Sequence, residues 1–225
     1  MTARQVVITG GDGALGRSVV KAFLDEGAVC HLPIHGSVEP SGTDQEQRTG
    51  GVDLTDEATV EAYYRGLPPL AASIHLAGGF QAAPLAEISR SALFQQLELN
   101  LVTAFLCCRE AVKAMRQNGG TGGRIVNVAA RVVELPAAGM LAYSVSKAAV
   151  AALTRSLAEE VRRDGILVNA VLPSVIDTPA NRAAMPKAQF ERWPKPLEIA
   201  RTILWLASPA NVLTSGALVP VYGNA

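Results

Sequence analysis

The sequence predicts one α/β domain, a doubly wound parallel sheet of about seven strands with helices on both faces. Three observations predict it. Short β-branched and apolar runs alternate with helical patterns along the whole chain, the order that a parallel sheet with crossover helices requires. A glycine cluster from Gly10 to Gly16 follows the first such run and opens the first helix. At 225 residues the chain suits a single domain spanning residues 1–225, with a full core and no internal linker or long repeat.

The bulk numbers exclude several function classes. Twenty basic and twenty acidic residues cancel, so no nucleic-acid or anionic-membrane partner is expected. The hydrophobic fraction of 49% contains only 5% aromatic residues, which suits Ala, Val and Leu packed closely between helices and sheet. No continuous apolar run reaches the length of a membrane span, and the first strand begins too early for a signal peptide. The expectation is a cytoplasmic protein acting on a small molecule. Cys30, Cys107 and Cys108 have neither metal nor disulfide spacing, so they read as reduced core residues and no metal site is expected.

Val6 to Thr9 reads as the first strand. Gly11, Gly13 and Gly16 then fit G-x-G-x-x-G ahead of an amphipathic helix from Arg17 to Glu26. In that context Gly10, Gly11, Asp12, Gly13, Ala14 and Leu15 would wrap a pyrophosphate at a helix N-terminus. Val29 to Leu32 is the second strand. Its end should carry a carboxylate if the chain reads the ribose 2′-hydroxyl of NAD. Pro33, Ile34, His35, Gly36 and Ser37 stand there instead, and Glu39 is the nearest acid. His35 or Ser37 would suit a 2′-phosphate, whereas Asp12 would repel one. The cofactor expectation is therefore NAD(P)H, with NADPH slightly favoured.

Pro40 to Gly51 lacks periodicity and reads as loop or a poorly formed helix. Val52 to Thr55 reads as the third strand, with Thr55 capping a helix from Asp56 to Arg65. Ser73 to Ala77 is the fourth, running into Gly78 and Gly79, where a ligand would approach the backbone. Ser89 to Met115 reads as one long helix with Asn100 inside its apolar stripe, either a structural bracket or part of a site. Ile125 to Val128 is the fifth strand. Tyr143 and Lys147 follow at helical spacing, so both side chains share a face. An ammonium beside a phenol would lower the phenol toward neutrality. That helix runs to about Asp164, the sixth strand covers Leu167 to Leu172, and Pro173 ends it. Residues 174–196 read as an irregular, substrate-covering loop. Leu197 to Ser208 is a last helix and Ala217 to Val221 a seventh strand.

Taken together, Thr9-Gly10 with Gly16, Asp53-Leu54-Thr55, Ala77-Gly78, Asn100, Tyr143-x-x-x-Lys147 and Asn169-Ala170-x-x-Pro173 resemble the short-chain dehydrogenase/reductase family in order and spacing. The resemblance implies a Rossmann-like sheet and a nicotinamide cofactor. It also implies roles: Tyr143 as acid or base, Lys147 on the nicotinamide ribose, and Asn100 holding a water of the proton relay. Asp53 and Leu54 would meet the adenine, and Pro173, Ser174, Ile176 and Thr178 the nicotinamide end. Phe80, Met140, Asn181 and Trp193 would contact substrate. Family members pair two long helices between subunits, and Ala148, Ala149, Ala151 and Ala152 suit such a face, so a homodimer or homotetramer is expected.

Two positions depart from the family pattern. Ala130 stands where the catalytic serine would be, and Ala14 where the middle glycine is usual. Both departures resemble the dihydropteridine reductase branch, as do Asp177-Thr178-Pro179, Asn181-Arg182, Met185-Pro186, Phe190 and Trp193. That branch reduces a quinonoid pterin, a ring poor enough in electrons to take hydride without a serine hydroxyl. It carries Asp where this chain has Ile34. A carbonyl reductase working without the serine is the alternative, and a nucleotide-binding scaffold without catalysis is a third. The scaffold has no use for a tuned tyrosine.

Overall fold

The computed structural model describes residues 3–38, 43–117 and 122–225, so Glu39 and Pro40 lie outside the described residues. One parallel sheet has the order β3-β2-β1-β4-β5-β6-β7. Its strands are β1 (Gln5–Thr9), β2 (Val29–Pro33), β3 (Glu46–Thr49), β4 (Ala72–His75), β5 (Gly123–Val128), β6 (Ile166–Pro173) and β7 (Leu218–Val221). The direction of winding reverses between β1 and β4. In such a sheet the crevice beyond the C-terminal ends of those two strands is where ligands bind.

Alternation along the strands sends side chains to two cores. Val6, Ile8, Cys30, Leu32, Ile74 and Val126 face α1 (Ala14–Asp25) and α7 (Pro196–Leu206). Val7, Ile125, Ile166 and Val168 face α2 (Glu57–Arg65), α4 (Thr103–Arg116) and α5 (Leu141–Glu160). Each such apolar side chain, fully buried, contributes roughly 1.5–3 kcal/mol. The three cysteines are buried and reduced, and burial raises all three thiols above their ordinary value.

Several expectations need correction. The third strand is Glu46–Thr49, within the stretch that reads as loop. It is an edge strand with little buried surface, so its residues are polar and show no alternation. Val52 is buried just beyond it, and its amide bonds to Ile34 O at 2.9 Å. Asp56, not Thr55, caps α2 by accepting from Thr59 N. The long helix is α3 (Arg90–Leu97), a π-turn over Glu98–Val102, and α4; Thr103 N bonds back to Glu98 O across the π-turn. By length and composition Arg90–Arg116 would suffice to cross a membrane, although scattered polar residues interrupt its apolar runs. Here Leu106, Cys107, Cys108, Ala111, Val112 and Met115 bury its face in the core. Residues 174–196 are more ordered than expected, containing α6 (Pro179–Ala184) and a short 3₁₀ turn at Phe190–Arg192.

A buried polar chain crosses one face of the sheet. Tyr64 Oη meets Ser73 Oγ at 2.9 Å, Ser73 Oγ meets His75 Nε2 at 2.8 Å, and His75 Nδ1 meets Asn127 Oδ1 at 2.8 Å. Asn127 Nδ2 then donates to Thr154 Oγ1 at 3.0 Å. The chain joins α2, β4, β5 and α5, and it fixes the strand that leads into Gly78 and Gly79.

Candidate active site

Two glycine turns meet where β1 and β4 end. Thr9 Oγ1 accepts from Leu76 N and Ala77 N, both at 3.1 Å, and so joins the two turns. Gly10 has φ +64°, and a Cβ there would lie 3.0 Å from Ala77 N. At Gly16 a Cβ would come within 2.0 Å of Gly10 O, so only glycine lets α1 close on the loop. α1 starts at Ala14 with Gly13 as its N-cap, without a capping side chain and without an acid in its first turn. Those unsatisfied amides suit an anion. Ala14 adopts no positive φ, so the missing family glycine costs no strain there. Gly10 to Leu15 and Ala77 to Gly79 thus belong to two turns that stand side by side beyond the C-terminal ends of β1 and β4.

Asn100 is hydrogen-bonded at both ends of its side-chain amide. Its Oδ1 accepts from Gly79 N at 3.1 Å, and its Nδ2 reaches Gly79 O at 2.9 Å, Gln96 O at 3.1 Å and Ser146 Oγ at 3.1 Å. The π-turn carries this side chain to the β4 turn, which it ties to α3 and α5. Ser146, which sequence reasoning missed, completes the link by donating to Tyr143 O at 2.8 Å. The only signal for it was its place three residues beyond Tyr143 on the same helix.

Tyr143 and Lys147 share the face expected of them, but the ammonium does not touch the hydroxyl. Lys147 Nζ donates to Val128 O at 2.9 Å and lies 5.9 Å from the Tyr143 ring centroid. Burial pushes the phenol up to about 12 and the ammonium down to about 8. The expected lowering of Tyr143 is therefore absent, because desolvation outweighs a cation pointed at a carbonyl. Phe80 meets Tyr143 edge-on with ring centroids 4.9 Å apart and is itself 61% exposed. Ala129 and Ala130 are buried just beyond β5, and neither carries a hydroxyl.

The remaining expected residues spread along the same rim. His35, its side chain 83% exposed, stands after β2 with Nε2 3.9 Å from Asp53 Oδ2. Asp53 accepts from Thr55 N at 2.9 Å and Thr55 Oγ1 at 2.7 Å, bonds that hold its carboxyl below the usual range. Leu54 packs against the core under α2. Ser174 Oγ donates to Tyr222 O at 2.7 Å, and Thr178 caps α6. Met140 is half-buried just before α5. Two of the four expected substrate contacts make bonds or packing within residues 174–196. Asn181 Nδ2 donates to Ile176 O at 2.8 Å, and Trp193, only 8% exposed, packs on Phe190.

This sheet, its paired glycine turns and a Tyr-Lys pair beside them define an NAD(P)-dependent oxidoreductase. The chain belongs to the short-chain dehydrogenase family, whose model matches residues 4–189. It is 30% identical over 242 residues to the uncharacterized oxidoreductase YgfF of Escherichia coli, covering 97% of this chain and 98% of that protein. It is also 30% identical to the 2,5-dichloro-2,5-cyclohexadiene-1,4-diol dehydrogenase of Sphingobium indicum, covering 100% and 97%. Among solved structures, ElxO with NADP bound superposes with a TM-score of 0.88 at 22% identity, over 99% of this chain and 98% of that one.

Proposed function

We propose that this oxidoreductase reduces quinonoid or similarly electron-poor rings with NAD(P)H, in the manner of a dihydropteridine reductase. The observation that carries the reading is Ala130. A ketone needs a donor on its oxygen before it takes hydride, and a buried alanine offers none. An electron-poor ring is already polarised and needs only the proton. Tyr143, held neutral by burial, is in the state from which it can donate that proton at pH 7. The bound nicotinamide ring supplies the hydride. The alternative, oxidoreduction of a ring alcohol or ketone, is favoured by the name of the Sphingobium indicum relative.

NADPH serves at least as well as NADH in this reading, because no carboxylate follows β2 directly and His35 faces solvent there. Asp53 opposes a 2′-phosphate and keeps the preference small. The protein acts in the cytoplasm as a homodimer or homotetramer. Leu141, Val145, Ala148 and Ala152 form an exposed stripe on α5, and Phe94 and Phe105 stand exposed on α3 and α4. These are the helices through which a second copy would pair.

Fluorescence titration with NADH and NADPH, then turnover of a quinonoid dihydropterin and of cyclohexanone, tests the reading. Both nucleotides should bind, and the quinonoid ring should turn over faster. Tight nucleotide binding with neither substrate consumed would leave a scaffold. A tenfold preference for NADH, about 1.4 kcal/mol, would overturn the cofactor assignment. Light scattering that gave a monomer at micromolar concentration would refute the assembly.

A further inference from the structure

We propose that Arg131 binds a carboxylate on the substrate and so orients the ring against Tyr143. The inference rests on the reductase reading above and adds to it the charge of the substrate. Arg131 directly follows Ala130 and opens a 3₁₀ turn, Arg131–Val133, that packs beside α5 and β6. Its guanidinium lies over the ring of Tyr222, 5.4 Å from the centroid. Tyr222 is held at both ends, by Ser174 Oγ on its carbonyl at 2.7 Å and by its hydroxyl on Glu134 Oε2 at 3.3 Å. Arg131, Ser174 and Tyr222 follow β5, β6 and β7 in turn, so the group lies on the C-terminal rim that also carries the glycine turns.

Arg131 is half-buried, yet among the described residues no carboxylate lies within 4.0 Å of it and no protein acceptor takes its N–H groups. Arg182, on α6, is by contrast engaged with Asp177 through two hydrogen bonds. A cation–π contact with an aromatic face holds a guanidinium in place while leaving an edge of its N–H groups open. An edge of that kind takes a planar anion in two parallel hydrogen bonds. Glu134 stands on the far end of Tyr222, and its charge disfavours a doubly charged phosphate more than a single carboxylate. A two-point grip at this place would also orient a ring, a task for which Ala130 provides no hydroxyl.

The test uses benzoate, its neutral counterpart benzamide, and inorganic phosphate as probes, titrated against the full chain with and without NADPH. Wild type should hold benzoate roughly tenfold or more tighter than benzamide, the size of a charge-assisted pair. Arg131→Met should abolish that preference while keeping NADPH affinity and melting temperature, and Arg131→Lys should retain part of it as a point charge. Equal binding of benzoate and benzamide, no benzoate binding at millimolar concentration, or a preference that survives Arg131→Met would overturn the proposal. So would displacement of benzoate by equimolar phosphate. A variant that loses stability and nucleotide together would show that Arg131 only braces Tyr222. Failure to bind NADPH at all would count against the reductase reading, and benzoate binding to the nucleotide-free chain would still report on Arg131.

Discussion

Tyr143 and Lys147 are four residues apart on one helix, and burial moves their protons in opposite directions. A phenol near 12 is protonated at neutral pH, which suits a donor in a reduction better than a base in an oxidation. Tyr143→Phe should therefore lower kcat on a quinonoid ring by roughly 10²–10⁴, the usual contribution of a positioned acid. Ala130→Ser should leave that turnover almost unchanged. On a ketone the same serine should raise kcat, since a well-placed donor at an oxyanion contributes ~2.7–4 kcal/mol. Steady-state rates of both variants on both substrates decide it; full activity of Tyr143→Phe on every substrate would remove the tyrosine from the chemistry. The Tyr-Lys spacing was legible because helical period alone sets it. Their proton affinities were not, because those depend on where the Lys147 ammonium points and how dry the site is.

Between β4 and the π-turn the packing leaves no room for a side chain. A Cβ at Gly78 would lie 2.5 Å from Asn100 Oδ1 and 3.4 Å from Lys147 Nζ. Asn100 cannot swing away without breaking its bonds to Gly79, Gln96 and Ser146. Gly78→Ala should cost roughly 1–3 kcal/mol of stability, as overpacking does. It should also weaken NADPH binding, because Gly79 moves with its bracket. Urea unfolding and nucleotide titration measure the two effects, and a variant unchanged in both would mean that the turn has slack. Buried strands such as Val6 to Thr9 and Ile125 to Val128 were readable from their β-branched runs. Glu46–Thr49 was not, because an edge strand that buries little need not alternate. The π-turn was equally hidden, since the apolar stripe runs through it without a break.

Across the whole molecule, burial holds His75 down to about 4, and its neighbours Ser73, Asn127 and Cys108 carry no charge to offset a proton. The unfolded chain binds that proton at about 6.5, so between those values the unfolded state takes up more protons. The contribution is complete above about pH 6.5 and is lost as pH falls toward 4, up to about 3 kcal/mol. Melting temperatures between pH 7 and 4.5 should fall more steeply for wild type than for His75→Asn. Parallel slopes would place the acid sensitivity elsewhere. The two outer strands have a different consequence. β3 presents Glu46 and Arg48, and β7 carries Pro220, which has no amide hydrogen to offer. An open sheet is a template on which stray strands can nucleate and grow into aggregates, and charge on one border and proline on the other interrupt that template. The two borders of the sheet thus keep it from spreading into neighbouring molecules.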